Sequence, residues 1–265
     1  MYPKIFRGIV CLTIFCIFFP RVSKAAHAPR LRTFAFTYIT EVNDIHKDAK
    51  NISIWLPYSK SDANQKITRL LISAPYPTRI YKDVEYGNYI LCLSASAPEC
   101  RSIKVEMKFR VRRREYVRRN FDPVGIRAGN DSDPMLKRWL QPDSLVPIDD
   151  RITKLAMEVT RGKTTNLEKA RAIYDYTIAN LIYDKRGAGW GRGDIYYACD
   201  VKHGNCTDFH AVFIGFCRAV GIPAKFAIGF SLPEERGQGE IVGYHCWAEF
   251  YLKGYGWVPV DTSEA

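Results

Sequence analysis

The 265-residue sequence contains no run of twenty apolar residues, no internal repeat and no glycine at every third position. The first absence excludes a polytopic membrane protein, because each spanning helix needs about 20 such residues. The last excludes a collagen-like chain. Nor is it poor in apolar residues: they make up 47% against 25% charged, which excludes a disordered chain. Acid is what it has too little of. Against 39 Lys and Arg stand 28 Asp and Glu, a formal charge of +11. No recognised nucleic-acid motif accompanies that surplus. The length suits one large or two ordinary domains.

Two segments hold the surplus. Residues 1–25 carry Lys4, Arg7, Arg21 and Lys24 and no acid, around the uncharged apolar stretch Gly8–Pro20. Thirteen residues are too few to cross a bilayer as a helix. A basic start, a short apolar stretch and small residues at Ala25 or Ala28 describe a secretory signal peptide. Pro29 follows the second exit directly, so cleavage is expected after Ala25. The chain is then exported, periplasmic or extracellular. An uncleaved signal would instead tether it to the membrane. The second segment, residues 101–119, holds nine Lys and Arg and two Glu. Ile103, Val105, Met107, Phe109 and Val111 alternate there with Lys104, Glu106, Lys108, Arg110 and Arg112, predicting a strand with one buried and one solvated face. Its basic face is expected to guard a sheet edge against aggregation. The other reading is a dock for an anionic envelope polymer. No nucleic-acid partner is expected of an exported chain.

The pattern divides near residue 120. Residues 26–119 read as short strands (Thr33–Thr40, Asn51–Leu56, Ile67–Ser73, Tyr89–Leu93 and the basic strand) separated by turn residues, which suggests a β-sandwich-like N-terminal domain. Residues 120–147, with four prolines, read as a linker over the surface. From 148 to 265 the period becomes helical. Ile148, Ile152, Leu155, Ala156 and Val159 define one helix, and the capping-box pattern Thr165–Glu168 opens a second. A glycine-rich loop, Gly187–Gly193, follows.

The chemistry lies further on. Gly204-Asn205-Cys206-Thr207-Asp208 precedes an apolar run that stops at Gly221. Asn205 suits an N-cap, which puts Cys206 at the first helical position, where free N–H groups and the helix dipole favour thiolate. A nucleophilic thiolate needs a base, and the base an orienting group. His245 begins a predicted strand whose one face also carries Trp247, Glu249 and Tyr251, and the next predicted strand ends at Asp261. A Cys–His pair steered by a carboxylate generalises the triad.

These stretches, GNCTDFHAVFIGFCRAVGIPAKFAIGF and GYHCWAEFYLKGYGWVPVD, resemble the transglutaminase-like superfamily, in particular exported bacterial members with a β-rich domain before the core. The resemblance implies a papain-like α+β core in which Cys206 is nucleophile, His245 general base and acid, and Asp261 the orienting carboxylate. It also implies an aromatic side chain near the oxyanion, for which Trp190, Tyr183 and Trp247 are the candidates, and it calls for no cofactor. Such cores normally continue with more strand. Four residues follow Asp261, so a core truncated at its C-terminus, with Asp261 on a poorly anchored final strand, is expected.

A rival arrangement is zinc on Cys199, His203, Cys206 and His210. Its spacing is irregular for a finger, and it leaves His245, Trp247 and Asp261 unused, so no metal is expected. Among the other cysteines, Cys92 and Cys100 bracket a short loop and are candidate disulfide partners, and Cys199–Cys246 is a second pairing. The expected activity is acyl transfer from an amide of a protein or peptide, with cell-wall peptide as a substrate class. Hydrolysis is favoured over protein-glutamine crosslinking. A non-catalytic envelope-binding module is the reading from another class.

Overall fold

The computed structural model describes residues 28–121, 134–235 and 237–264. The expected signal peptide, 1–25, lies outside them. No helix among the described residues is long and apolar enough to cross a membrane.

Six strands form the N-terminal unit: β1 (Leu31–Val42), β2 (Asn51–Pro57), β3 (Gln65–Ser73), β4 (Thr78–Lys82), β5 (Tyr89–Ser96) and β6 (Ile103–Arg114). They make two antiparallel three-stranded sheets, in the orders β1-β6-β3 and β2-β5-β4. Ile54, Leu56, Leu91 and Leu93 from one sheet share a core with the apolar face of β6 from the other, so the unit is a sandwich. The alternation along β6 is as its sequence demands, with Ile103 to Val111 buried at every second position. Its place is not. β6 pairs on both sides, with β1 and with β3, so its basic face is not an edge guard but lies on the outside of a central strand. β4 was hidden in the sequence because Thr78–Lys82 has little alternation and is largely exposed.

Cys92 and Cys100 are free thiols, not a disulfide. Leu91 and Leu93 point into the core, so Cys92 between them points out, where its Sγ lies 3.6 Å from Ser94 Oγ. Cys100 packs on the inner side, 3.4 Å from the Tyr76 hydroxyl.

The second unit is α+β. Helices α1 (Asp150–Val159), α2 (Asn166–Asn180), α3 (Ile195–Val201) and α4 (Cys206–Ala219) accompany the antiparallel sheet β11-β10-β9. Its strands are β9 (Ala224–Gly229), β10 (His245–Leu252) and β11 (Gly256–Val260). The two-residue strands β7 (Ile182–Tyr183) and β8 (His203–Gly204) pair in parallel beside it. The predicted capping box of α2 is formed: Glu168 N–H donates to Thr165 Oγ1 at 3.2 Å and Thr165 N–H to Glu168 Oε2 at 2.9 Å. α4 is buried along nearly its whole length, with Val212, Phe213 and Phe216 fully enclosed and Phe250, Leu252 and Val258 in the same core.

The segment 134–147 is more than a surface linker. Asp143 accepts from the Arg218 guanidinium of α4 at 2.6 Å and from the Tyr86 hydroxyl of the sandwich at 2.9 Å. Arg218, with 2% of its side chain exposed, also donates to the carbonyls of Gln141 and Ala224, both at 2.9 Å. Elsewhere the units meet through Tyr116, whose hydroxyl donates to the Trp257 carbonyl at 2.8 Å, and through Phe230, 5.2 Å from Phe36 between ring centroids. Asp143 also accepts from the Arg138 guanidinium and so keeps a partner if Arg218 is removed, but the carbonyls of Gln141 and Ala224 lose their donor. Arg218→Met is therefore expected to lower stability by ~2–3 kcal/mol in urea denaturation. A loss under ~1 kcal/mol would show that Arg218 does not tie the segment down.

Candidate active site

The site is built on the first turn of α4. Asn205 caps it, accepting from Thr207 N–H at 2.9 Å, while Asn205 N–H donates to Asp208 Oδ2 at 2.9 Å. The capping-box reading of this turn explains half of what Asp208 does. Its fully buried carboxylate also accepts from Gly191 N–H at 2.6 Å and Gly193 N–H at 3.1 Å, fastening the glycine-rich loop to the helix start. Both glycines have positive φ, +82° and +70°. Gly204 has a different constraint: a Cβ there would lie 2.3 Å from the Asp208 carboxylate.

Cys206 is 3% exposed at the start of this buried helix. The Cys246 thiol hydrogen-bonds to its sulfur. With the Cys246 N–H and the charge of His245, that bond overcomes burial and lowers the Cys206 pKa to about 5. The same bond, with burial, raises the Cys246 thiol far above its ordinary value. Cys206 is thus the thiolate of the pair. This corrects the Cys199–Cys246 pairing: both are free, and Cys246 faces α4, with its Sγ 3.8 Å from Thr207 Oγ1 and 3.8 Å from His210 Nδ1.

His245 meets Asp261 through Nε2, 2.5 Å from Oδ2, so Nδ1 is the nitrogen left for the thiolate. Burial opposes charge on His245, but the hydrogen bond and charge of Asp261 outweigh it and hold the pKa above the usual value. Asp261 in turn stays below the carboxylate range, despite burial, through His245 and Ser263. It is well anchored rather than loosely held: Ser263 N–H and Oγ donate to Oδ1, both at 2.9 Å, and Glu264 N–H at 3.2 Å. The neighbouring Thr262 N–H donates to His210 Nε2 at 3.1 Å.

His210 is a structural hub. Its Nδ1 lies 2.6 Å from the Cys206 carbonyl and so carries the proton, while Nε2 accepts. Burial lowers its pKa to about 4, keeping it neutral. The rival zinc set, Cys199, His203, Cys206 and His210, does not converge among the described residues. His203 Nδ1 lies 3.4 Å from the Asp184 carbonyl, and burial raises the Cys199 thiol to about 11. Among the described residues the one group close enough to ligate a metal is His245, Asp261 and Glu264, which shares its atoms with the His–Asp pair.

Of the three candidate aromatics, Tyr183 is the one at the thiol. Burial raises its pKa first, then the charge of Cys206. Its ring lies 6.0 Å from Phe209. Trp190 donates Nε1 to the Gly187 carbonyl of its own loop at 3.2 Å. Trp247 lies against Gly229, at alternate positions to the buried Cys246 and Ala248. Asp208 as loop anchor, His210 as hub and Cys246 as thiol partner were not foreseen. The i,i+4 spacing of Cys206 and His210 was the available signal for one of them.

A buried helix that opens with a lowered thiol, packed on an antiparallel sheet that carries a His–carboxylate pair, is an arrangement of papain-like type. Residues 153–262 match the model of the transglutaminase-like superfamily. An uncharacterised protein of Haemophilus influenzae is 36% identical over 135 residues, 43% of this chain and 37% of its own length. The uncharacterised protein YebA of Bacillus subtilis is 26% identical over 156 residues, 53% of this chain and 21% of its own. The chain therefore spans well under half of each of these relatives. The crystal structure of a candidate cysteine protease from Cytophaga hutchinsonii superposes with a TM-score of 0.65 at 18% identity, over 90% of this chain and 78% of that one, and so shares the fold.

The electrostatics make a testable statement about the thiol. With Cys206 lowered to about 5 and His245 raised, a thiolate–imidazolium pair exists between those two values. Iodoacetamide labelling of Cys206 is expected to rise with pH through about 5, whereas an ordinary thiol rises near ~8.5. Peptide mapping of the label checks this. A single limb near ~8.5 refutes the activated pair.

Proposed function

We propose that the chain is an exported thiol enzyme that transfers an acyl group from an amide, hydrolysing a peptide or isopeptide bond. The observation that carries this is the lowered Cys206 thiol beside a His245 held by Asp261. The Cys206 thiolate attacks the amide carbonyl. The Cys206 N–H, free of an intrahelical partner at the start of α4, faces the oxyanion that develops, with Tyr183 within the electrostatic reach of the thiol. Imidazolium His245 gives its proton to the leaving amine, which yields a thioester on Cys206. Neutral His245 then takes a proton from the incoming water, and Asp261 keeps the ring oriented throughout.

The acceptor and substrate are inferred from setting. Export, expected from residues 1–25, puts envelope and cell-wall peptides within reach, and water is the acceptor always present. Protein-glutamine crosslinking is the alternative outcome of the same acyl-enzyme. The test incubates the protein with cell-wall peptides and with a primary amine, and follows products by mass spectrometry. Water addition is expected, and Cys206→Ala is expected to lose ~10³-fold or more. Turnover that survives this substitution would sink the thiol mechanism, and dominant amine incorporation would sink hydrolysis.

The basic face of β6 supports a second, non-catalytic role in docking an anionic envelope polymer. Lys104 is paired with Glu41 at 3.2 Å and Lys108 with Glu106 at 2.7 Å, and Arg110, Arg112 and Arg114 stand exposed on the same strand. Cell-wall pulldown is expected to survive Cys206→Ala and to weaken at high salt. It is expected to disappear when Arg112–Arg114 are replaced by glutamine. Retention by the glutamine variant would rule the face out.

A further inference from the structure

Cys246 is a buried nucleophile for which the acyl-transfer steps have no use. It sits on the α4 side of β10, fully enclosed, and its Sγ is 3.8 Å from Thr207 Oγ1 and 3.8 Å from His210 Nδ1. That nitrogen is itself 2.6 Å from the Cys206 carbonyl. The Cys246 sulfur is therefore seated against the turn that carries Cys206, and each of the two thiols shifts the acidity of the other, Cys206 down and Cys246 up. No other cysteine among the described residues has that position. Cys217 is on the same helix, eleven residues on, which is ~16 Å along the axis. Cys199 lies on α3, and Cys92 and Cys100 belong to the sandwich.

We infer that Cys206 and Cys246 form a reversible dithiol–disulfide pair, a modification site whose oxidant is a small hydroperoxide. The inference rests on the acyl-transfer reading only in needing a reactive Cys206. The Cys206 thiolate attacks the terminal oxygen of the hydroperoxide. The O–O bond breaks, the alkoxide or hydroxide leaves and takes a proton from His245, and Cys206 becomes a sulfenic acid. The Cys246 sulfur then attacks the Cys206 sulfur. An S–S bond replaces the S–OH bond, and hydroxide leaves as water with the Cys246 proton. Two thiols lose two electrons in all, and the hydroperoxide is reduced to alcohol and water. Two properties of the site suit these steps. The Cys206 thiol is lowered, and Cys246 already lies against the turn that carries the sulfur it must attack. The disulfide blocks the nucleophile, yet a thiol reductant restores it, whereas a sulfinic acid on Cys206 would be irreversible.

The test treats the purified full chain with hydrogen peroxide and reads mass, crosslinks and thiol accessibility. The wild type is expected to lose 2 Da (~two hydrogens) and to give a Cys206–Cys246 crosslinked peptide in a non-reducing digest. Its Cys206 should capture iodoacetamide at least ~10-fold more slowly, with full return after dithiothreitol. Cys246→Ala and Cys246→Ser are expected instead to trap a dimedone adduct on Cys206 and to proceed to sulfinic acid without return. Sulfinic acid on wild-type Cys206 at the rate seen in either variant would overturn the pair, as would a crosslink to a different cysteine. The wild-type crosslink decides the matter even where a variant fails to fold. The mass readouts need no substrate, so absence of amide turnover counts against the acyl-transfer reading and not against the pair.

Discussion

Everything at the site depends on one buried carboxylate. Asp208 accepts three backbone N–H groups, from Asn205, Gly191 and Gly193. Burying an ionised carboxylate without partners would cost far more than a domain's whole margin of stability, and charge-assisted hydrogen bonds of this kind offset that cost. The arrangement has consequences in both directions along the chain. Towards the helix, it fixes the turn that presents Cys206. Towards the loop, it draws residues 191–193 over that turn, which their positive φ values permit. Gly204 completes it by leaving the carboxylate the space a Cβ would fill.

Two histidines on either side of Asp261 show how environment divides their labour. His210 and His245 both approach the carboxylate, at 3.5 Å and 2.5 Å through Nε2. Burial dominates at His210, so it stays neutral, donates to the Cys206 carbonyl and accepts from Thr262 N–H. At His245 the interaction with Asp261 outweighs burial, so that ring holds a proton more readily than an ordinary histidine. One imidazole is a fixed brace between α4 and the end of β11, and the other is free to exchange a proton with a thiol. Pushing the pKa values of like groups apart by environment is how a site assigns separate roles.

How much of this could be read from the sequence follows from the range of each interaction. Local signals were legible: the alternation of β6, the capping boxes of α2 and α4, and the place of Cys206 at a helix start. His245 and Asp261 were legible through strand pattern and resemblance. Pairing between distant strands was not. Period-two alternation says that β6 has two faces but not that β1 and β3 flank it, and so its basic face was misplaced at an edge. Cys92 and Cys100 are close in sequence, but the register of β5 turns Cys92 away from the core that Cys100 lines. The contact of Cys246 with Cys206 spans forty residues and needs β10 laid against α4 before it exists.

The distribution of thiol chemistry follows from the same packing. All six cysteines among the described residues are free. Oxidation of a free thiol is governed by how much of it is thiolate and by access. Burial raises Cys199 to about 11 and pushes Cys217 higher still, so neither supplies thiolate at neutral pH. Cys246 is raised as well, because its proton is committed to the neighbouring sulfur. Among the four thiols of the α+β unit, reactivity is thereby confined to Cys206, where the Cys246 thiol, the helix start and His245 act together against desolvation. The fold makes one thiol nucleophilic by making its neighbours poor acids, so selectivity and activation have the same physical origin.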